Sequence, residues 1–202
     1  MKSSLLPGKT ALCCIVLILT ALLATDCRRF IVKRIFISKK LEGINLSGLD
    51  LYNTNLENIN LARARLVKTN LSFCNLKNSR FINADLRESD LSAANLTGAD
   101  LRGANLRNAN LKNAVLHKSN LAGAYFYDAN LVGADMRDAI MVMGVAEGAD
   151  MDLIMQILDR NGPVQYAHFR NADFTGAAVS GKWKNFIQQQ GVRNYDRIIW
   201  AK

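Results

Sequence analysis

From Leu41 an apolar residue returns at every fifth position, without a break, to Met151. Of these 23 centres 17 are Leu; the others are Phe81, Phe126, Met136, Met141, Ala146 and Met151. Two positions before the centre, from Leu46 onward, 19 of 22 residues are Ala, Ser, Thr, Cys or Gly, so large and small side chains alternate. The exceptions, Ile44, Leu49 and Ile59, all lie at the N-terminal end. A five-residue period fits neither a helix of about 3.6 residues per turn nor a strand of period 2. It fits a coil in which each unit makes one side and turns one corner. The large centre and the small residue before it then share a narrow interior, packed without voids. The other three positions face water, which explains why Asn, Arg, Lys, Glu, Ser and Gly exchange freely there. Stacked coils satisfy their backbone groups against the coils above and below, at a spacing of about 4.8 Å.

Asn or Asp usually stands directly before the centre. The segments Ala94-Asn95-Leu96-Thr97-Gly98, Ala99-Asp100-Leu101-Arg102-Gly103 and Ala104-Asn105-Leu106-Arg107-Asn108 follow one another with the same unit. In these residues the chain resembles the pentapeptide-repeat family, whose units read Ala-(Asn/Asp)-Leu-x-x, and the resemblance covers over half of the sequence. It implies an all-β fold, a right-handed quadrilateral β-helix with four units per coil. Neither proline, Pro7 nor Pro163, interrupts the run, as suits a backbone that must donate to the next coil.

After Met151 the period lapses. Asp150 is placed to cap a short helix, and Asn161-Gly162-Pro163 to end it. Residues 152–166 therefore read as an inserted helix and loop. The pattern resumes at Ala167-x-Phe169, Ala172-x-Phe174 and Ala177-x-Val179, giving a second repeat segment over 167–181. With the main solenoid over 41–151, this predicts 26 sides, about six and a half coils and a rod roughly 30 Å long. Open solenoid ends invite aggregation, so caps are expected. Ile140, Val142, Met143 and Val145 are apolar at outward positions, and Leu153, Ile154, Ile157 and Leu158, or the C-terminal segment, are expected to cover them. Over 182–202, Trp183, Phe186 and Ile187 form a stripe at helical spacing, and Ile198, Ile199 and Trp200 follow. A terminal cap is the preferred reading, a partner-binding surface the other; a homo-oligomer would form through this segment.

Residues 1–27 hold an apolar segment, with 15 uncharged residues over 11–25. That length lies between a membrane anchor and a signal-peptide core. No small-residue cleavage pattern precedes Asp26, and Lys2 and Lys9 are outnumbered by Arg28, Arg29, Lys33, Arg34, Lys39 and Lys40. The expectation is an uncleaved single-pass anchor through residues 10–25, with the solenoid on the cytoplasmic side. Export to a periplasm or lumen after cleavage is the alternative. Residues 28–40 read as a basic juxtamembrane segment that either lies at the membrane interface or covers the first coil. Charge agrees with this division. Of the net +9, residues 1–40 carry +7, residues 41–151 carry −1 and residues 152–202 carry +3. A nearly neutral rod is a poor nucleic-acid binder, and no nucleic-acid partner is expected.

No catalytic grouping emerges, and neither a metal nor a cofactor is expected. The histidines, His117 and His168, are far apart in sequence, and His117 falls at an outward, solvated position. Cys74 takes a small inward place, where Ala or Ser would serve, while Cys13, Cys14 and Cys27 belong to the apolar segment and its edge. The surface is more informative. With four units per coil, residues twenty apart stack. Arg87 and Arg107 then share a side with Arg65 and Lys68, and that side ends in Tyr125 and Tyr127. These six are the candidate partner-binding face, fitted to an acidic protein segment or lipid headgroups; an ordinary solvated face, with Glu88 and Asp128 interspersed, is the other reading. Tyr52 and Phe73 make a smaller aromatic pair on another side. The function expected is a non-catalytic, membrane-tethered interaction or scaffold module with a protein partner. The family resemblance adds an alternative, a DNA-mimicking modulator of gyrase and related topoisomerases. That activity asks for an acidic rod, which this chain lacks.

Overall fold

The computed structural model describes residues 41–142 and 167–201. The expected anchor, the basic segment and the inserted helix lie outside the described residues. Among the described residues no helix is long and apolar enough to cross a membrane.

Parallel bridges join residues twenty apart, as in Asn45 to Arg65 to Asp85 to Asn105 to Tyr125. With a corner every five residues, this register makes a coil of four sides. Each coil bonds in both directions. Leu66 N donates to Asp85 O on the following coil (2.7 Å), and Arg65 N donates to Ile44 O on the preceding one (2.8 Å). The corners are four-residue turns starting at the centre, nearly all closed by bonds such as Ala104 N to Leu101 O (2.9 Å) among the described residues. The third residue of the turn takes a positive φ, from Gly43 (70°) through Asn83 (55°) to Asp138 (57°). Gly adopts that conformation without strain, and Asn and Asp tolerate it better than other side chains do. The glycines that recur at the corner are thereby explained, and so is the frequent Asn.

Where Asn or Asp stands before the centre, it ties the corner down. Its side-chain oxygen accepts from the backbone N–H two residues on, as Asn60 does from Ala62 (3.1 Å) and Asp90 from Ser92 (2.9 Å). Several of these side chains also bond one another between coils. Asn70 donates to Asp50 (2.9 Å), Asn110 to Asp90 (3.0 Å) and Asn130 to Asn110 (3.1 Å). Inside, the Leu centres from Leu61 to Leu131 are fully buried with their small partners. Each such centre contributes about 1.5–3 kcal/mol of burial. Hydroxyls at the small position find carbonyls, Ser89 on Leu86 O (2.7 Å) and Thr69 on Leu46 O (2.9 Å). Cys74 donates likewise to Leu51 O (2.9 Å), and burial pushes its thiol up to about 11, so it is core filling without thiolate reactivity.

At the far end the chain departs from the sequence expectation. Tyr125 pairs with His168 and Asn130 with Asp173, while β1 (Asp135–Met136) runs parallel to β2 (Ala178–Ser180). Phe169, Phe174 and Val179 therefore occupy the places above Phe126, Leu131 and Met136. The period assigned the first two of those places to Ala146 and Met151, which lie outside the described residues. Among the described residues the solenoid counts 24 sides, six coils, where the period alone implied 26. Packing favours this path, because Phe169 stacks on Phe126 at 4.9 Å and meets Phe174 edge-on at 5.2 Å. Ala146 would offer no ring at that level.

Beyond β2 a 3-10 turn (Gly181–Trp183) leads into the short helix α1 (Lys184–Gln189). Trp183, Phe186 and Ile187 are all buried, and Trp183 Nε1 donates to Ala139 O at 2.9 Å. The chain then returns, Arg193 pairing with Asp173 and β3 (Ile199–Ala201) running parallel to β2. Val142 is buried while Ile140 stays 44% exposed. The residues expected to cover them, 153–158, lie outside the described residues, as do Met143 and Val145.

Candidate functional site: an arginine and aromatic face

All six residues singled out from the sequence stand on one side of the rod, the side whose centres are Leu66, Leu86, Leu106, Phe126 and Phe169. Position decides their orientation. Arg65 and Tyr125 precede a centre, Arg87, Arg107 and Tyr127 follow one, and Lys68 sits at a corner with φ 58°.

Their environments differ. Arg87 is clamped by Asp85 through two bonds of 2.8 and 2.7 Å. The same bonds hold the Asp85 carboxyl below the usual carboxylate range. Lys68 lies 3.3 Å from Glu88, both side chains well exposed, which is a weak, salt-screened pair. Arg107 is different again. Its guanidinium carbon sits 4.9 Å from the Tyr127 ring centre and 5.4 Å from that of Tyr125, and it forms no ion pair among the described residues. Guanidinium–aromatic contacts leave the N–H edge available while fixing the plane of the group.

The structure adds a residue to this cluster that the sequence reading did not place. His168 stacks on Tyr125 with ring centres 4.9 Å apart and planes 3° from parallel, and it meets Tyr127 edge-on at 5.9 Å. Burial, and then the neighbouring Arg107 charge, hold its pKa below the ordinary histidine value. His168 therefore contributes an uncharged ring near neutral pH. The cluster is a floor of three rings with one oriented guanidinium across it. Arg65, by contrast, stands three coils from Tyr125 in the same column.

Comparison with known proteins agrees with this architecture. Pentapeptide repeats match residues 40–72, 69–108 and 104–141, in 8 copies. The chain belongs to the pentapeptide-repeat family. It is accordingly a right-handed quadrilateral β-helix. One solved relative is HetL, a pentapeptide repeat protein involved in heterocyst differentiation regulation from the cyanobacterium Nostoc sp. strain PCC 7120. It is 26% identical, with a TM-score of 0.50, over 76% of this chain and 74% of that one. A pentapeptide repeat protein from the Arabidopsis thaliana thylakoid lumen is 28% identical over 61% of this chain and 86% of that one, with a TM-score of 0.48. QnrB1, a plasmid-mediated fluoroquinolone resistance protein, is 13% identical over 70% and 75%, with a TM-score of 0.36. No curated protein matches the chain.

Pentapeptide-repeat proteins are generally non-catalytic structural or interaction proteins. Elsewhere on this pentapeptide-repeat rod three arginines are held by a neighbouring Asp. The clamp at Asp85 and Arg87 recurs between Asp100 and Arg102 and between Asp135 and Arg137, each with a 2.7 Å contact. His117 Nδ1 lies 3.0 Å from Arg137 O and 3.7 Å from Asp138, which places it in a local polar contact. Tyr52 and Phe73, both 55% exposed, meet edge-on at 5.6 Å on the neighbouring side. Among the described residues no group of His, Cys, Asp and Glu is arranged to hold a metal ion.

Proposed function

We propose that this protein is a membrane-tethered interaction module that docks a protein partner on the side carrying Arg107, Tyr125 and Tyr127. The observation that supports the docking face most is Arg107 itself, a cation set by two rings and in no ion pair with a carboxylate among the described residues. Arg87, Arg102 and Arg137, by contrast, are each neutralised by the Asp two positions before them. Aromatic and arginine side chains are the residues that most often carry binding energy at interfaces. Support for the tether comes from the sequence, where an uncharged run over 11–25 is followed by six basic residues within 28–40. The duplex-mimic alternative asks for acidic sides, and Arg65, Arg87, Arg102, Arg107 and Arg137 stand on this rod.

Cell fractionation followed by protease treatment tests the tether. The protein is expected in the membrane pellet, with its C-terminus protected in sealed right-side-out vesicles; recovery in the soluble fraction defeats this half of the reading. A pull-down from detergent-solubilised membranes tests the module. A partner is expected with the native chain and lost when Arg65, Arg87 and Arg107 are changed together to Gln. Recovery of no partner by the native chain counts against the module.

A further inference from the structure

We propose that the interruption of the repeats assembles a composite recognition site for an acidic peptide segment, built from Arg107, Tyr125 and Tyr127 before the break and His168 and Arg170 after it. The inference rests on the interaction-module reading and gives its partner a chemistry.

An unbroken period would stack on Tyr125 and Tyr127 the residues twenty positions later, Val145 and Glu147. The chain does otherwise. Tyr125 pairs with His168, and Asp128 N donates to Arg170 O at 3.1 Å, which sets Arg170 in the column above Tyr127. The excursion thus exchanges a Val and a Glu for a His and an Arg at the end of this face. A glutamate there would put a carboxylate, in place of a second cation, in the column of Arg107 and Tyr127.

The resulting column reads Arg107, Tyr127, Arg170. Coil spacing separates the two arginines by about 10 Å at the backbone, with the Tyr127 ring between them. Arg170 is exposed, and neither it nor Arg107 forms an ion pair among the described residues. Asp128, exposed at the corner beside Tyr127, is the nearest carboxylate of the same side. Two cations flank a floor of stacked rings, one of which, His168, is kept uncharged by burial and by Arg107. Carboxylates accept bidentate bonds from a guanidinium edge, and the rings cover the apolar stem of the ligand. Extended backbone brings alternate side chains to one face about 6.6–6.8 Å apart, a separation that two long arginine side chains span easily. An extended segment with Glu or Asp at alternate positions meets both cations at once.

The test uses the full chain in detergent and a fluorescein-labelled peptide of alternating Glu and Ser, read by fluorescence anisotropy. Competitors are the matching Lys/Ser peptide, inorganic phosphate and phosphatidylserine vesicles. Binding of the Glu/Ser peptide is expected to weaken about tenfold in Arg107→Gln and again in Arg170→Gln, the loss of one charge-assisted pair each. Arg102→Gln, on another side and with its guanidinium already clamped by Asp100, is expected to change affinity less than about twofold. Replacing His168 with Val and Arg170 with Glu, the pair an unbroken period would supply, is expected to abolish binding; should that double variant fail to fold, Arg170→Gln alone decides. Equal affinity in the native chain, Arg107→Gln and Arg170→Gln overturns the proposal, as does competition by phosphate or by vesicles as strong as by unlabelled Glu/Ser peptide. A membrane partner still captured by both Gln variants leaves the module standing and removes the acidic-peptide site. Peptide binding without any captured partner does the reverse.

Discussion

The coils before residue 142 and those after residue 167 obey one register with different materials. In the first region the centres are Leu almost throughout, the small partner is most often Ala, and Asn and Gly are the most frequent corner residues. In the second the centres are Phe169, Phe174 and Val179, the rings stack, and within a few sides the chain leaves for α1. A Leu column can be extended by any number of like units, because each layer meets an identical neighbour. An aromatic layer is particular. Phe169 fits on Phe126 because Phe126 is also a ring. The comparison teaches that the repeats supply a generic shaft, while the region after the break supplies an end that fits only one level of it.

The largest effect expected is at that junction. Phe169→Ala should lower stability by about 3–5 kcal/mol, measured as the shift in urea midpoint, because it empties a fully buried aromatic layer. If its loss is no greater than that of Ser89→Ala, the junction is not the keyed level described.

A second pair separates corner strain from crowding. Gly103 (φ 66°) and Gly176 (φ 64°) share a backbone conformation, but a Cβ at Gly103 would run into Asn83 Oδ1 and one at Gly176 meets open space. Gly176→Ala should cost about 1–2 kcal/mol, the left-handed penalty alone. Gly103→Ala should cost more, and measured in an Asn83→Ala background it should fall to the Gly176 figure. An equal loss at both sites would show that the side chain one coil below yields freely.

The smallest effect is acid sensitivity confined to the second region. His168 has a folded pKa below its unfolded value of 6.5, so the unfolded chain binds the extra proton first. Stability contributed by the neutral ring is present above that value and is lost as pH falls from there through the folded pKa. His168→Gln should flatten the fall in urea midpoint between neutral and mildly acidic pH, and an unchanged slope would assign the acid response to other groups.

Much of this was legible because it is local. The period, the alternation of Leu96 with Ala94, the Asn or Asp before the centre and the corner glycines all act within one five-residue unit or between adjacent coils. The point of departure was not legible, because the five-residue period runs on in the sequence to Met151 without a break. His168 went unplaced for the same reason, since its contact with Tyr125 depends on where the chain leaves and returns. The neutralised state of Arg87 had a signal that was available. Asp and Arg two apart on one side recur at 85 and 87, 100 and 102, and 135 and 137, and each pair closes on itself.

The twenty-residue register has a consequence for how such a surface changes. Lengthening the rod by a single five-residue unit turns everything downstream through a quarter circle, so each surface residue moves to the adjoining side. Lengthening it by a whole coil leaves every side aligned and only moves the far end outward. An excursion that leaves and re-enters at one corner does neither, and its length is unconstrained. Ala167 N bonds Met141 O at 2.8 Å across such a corner. Gain or loss of sequence therefore edits this surface in three separable ways: by rotation, by extension, or by exchanging which residues come to lie side by side.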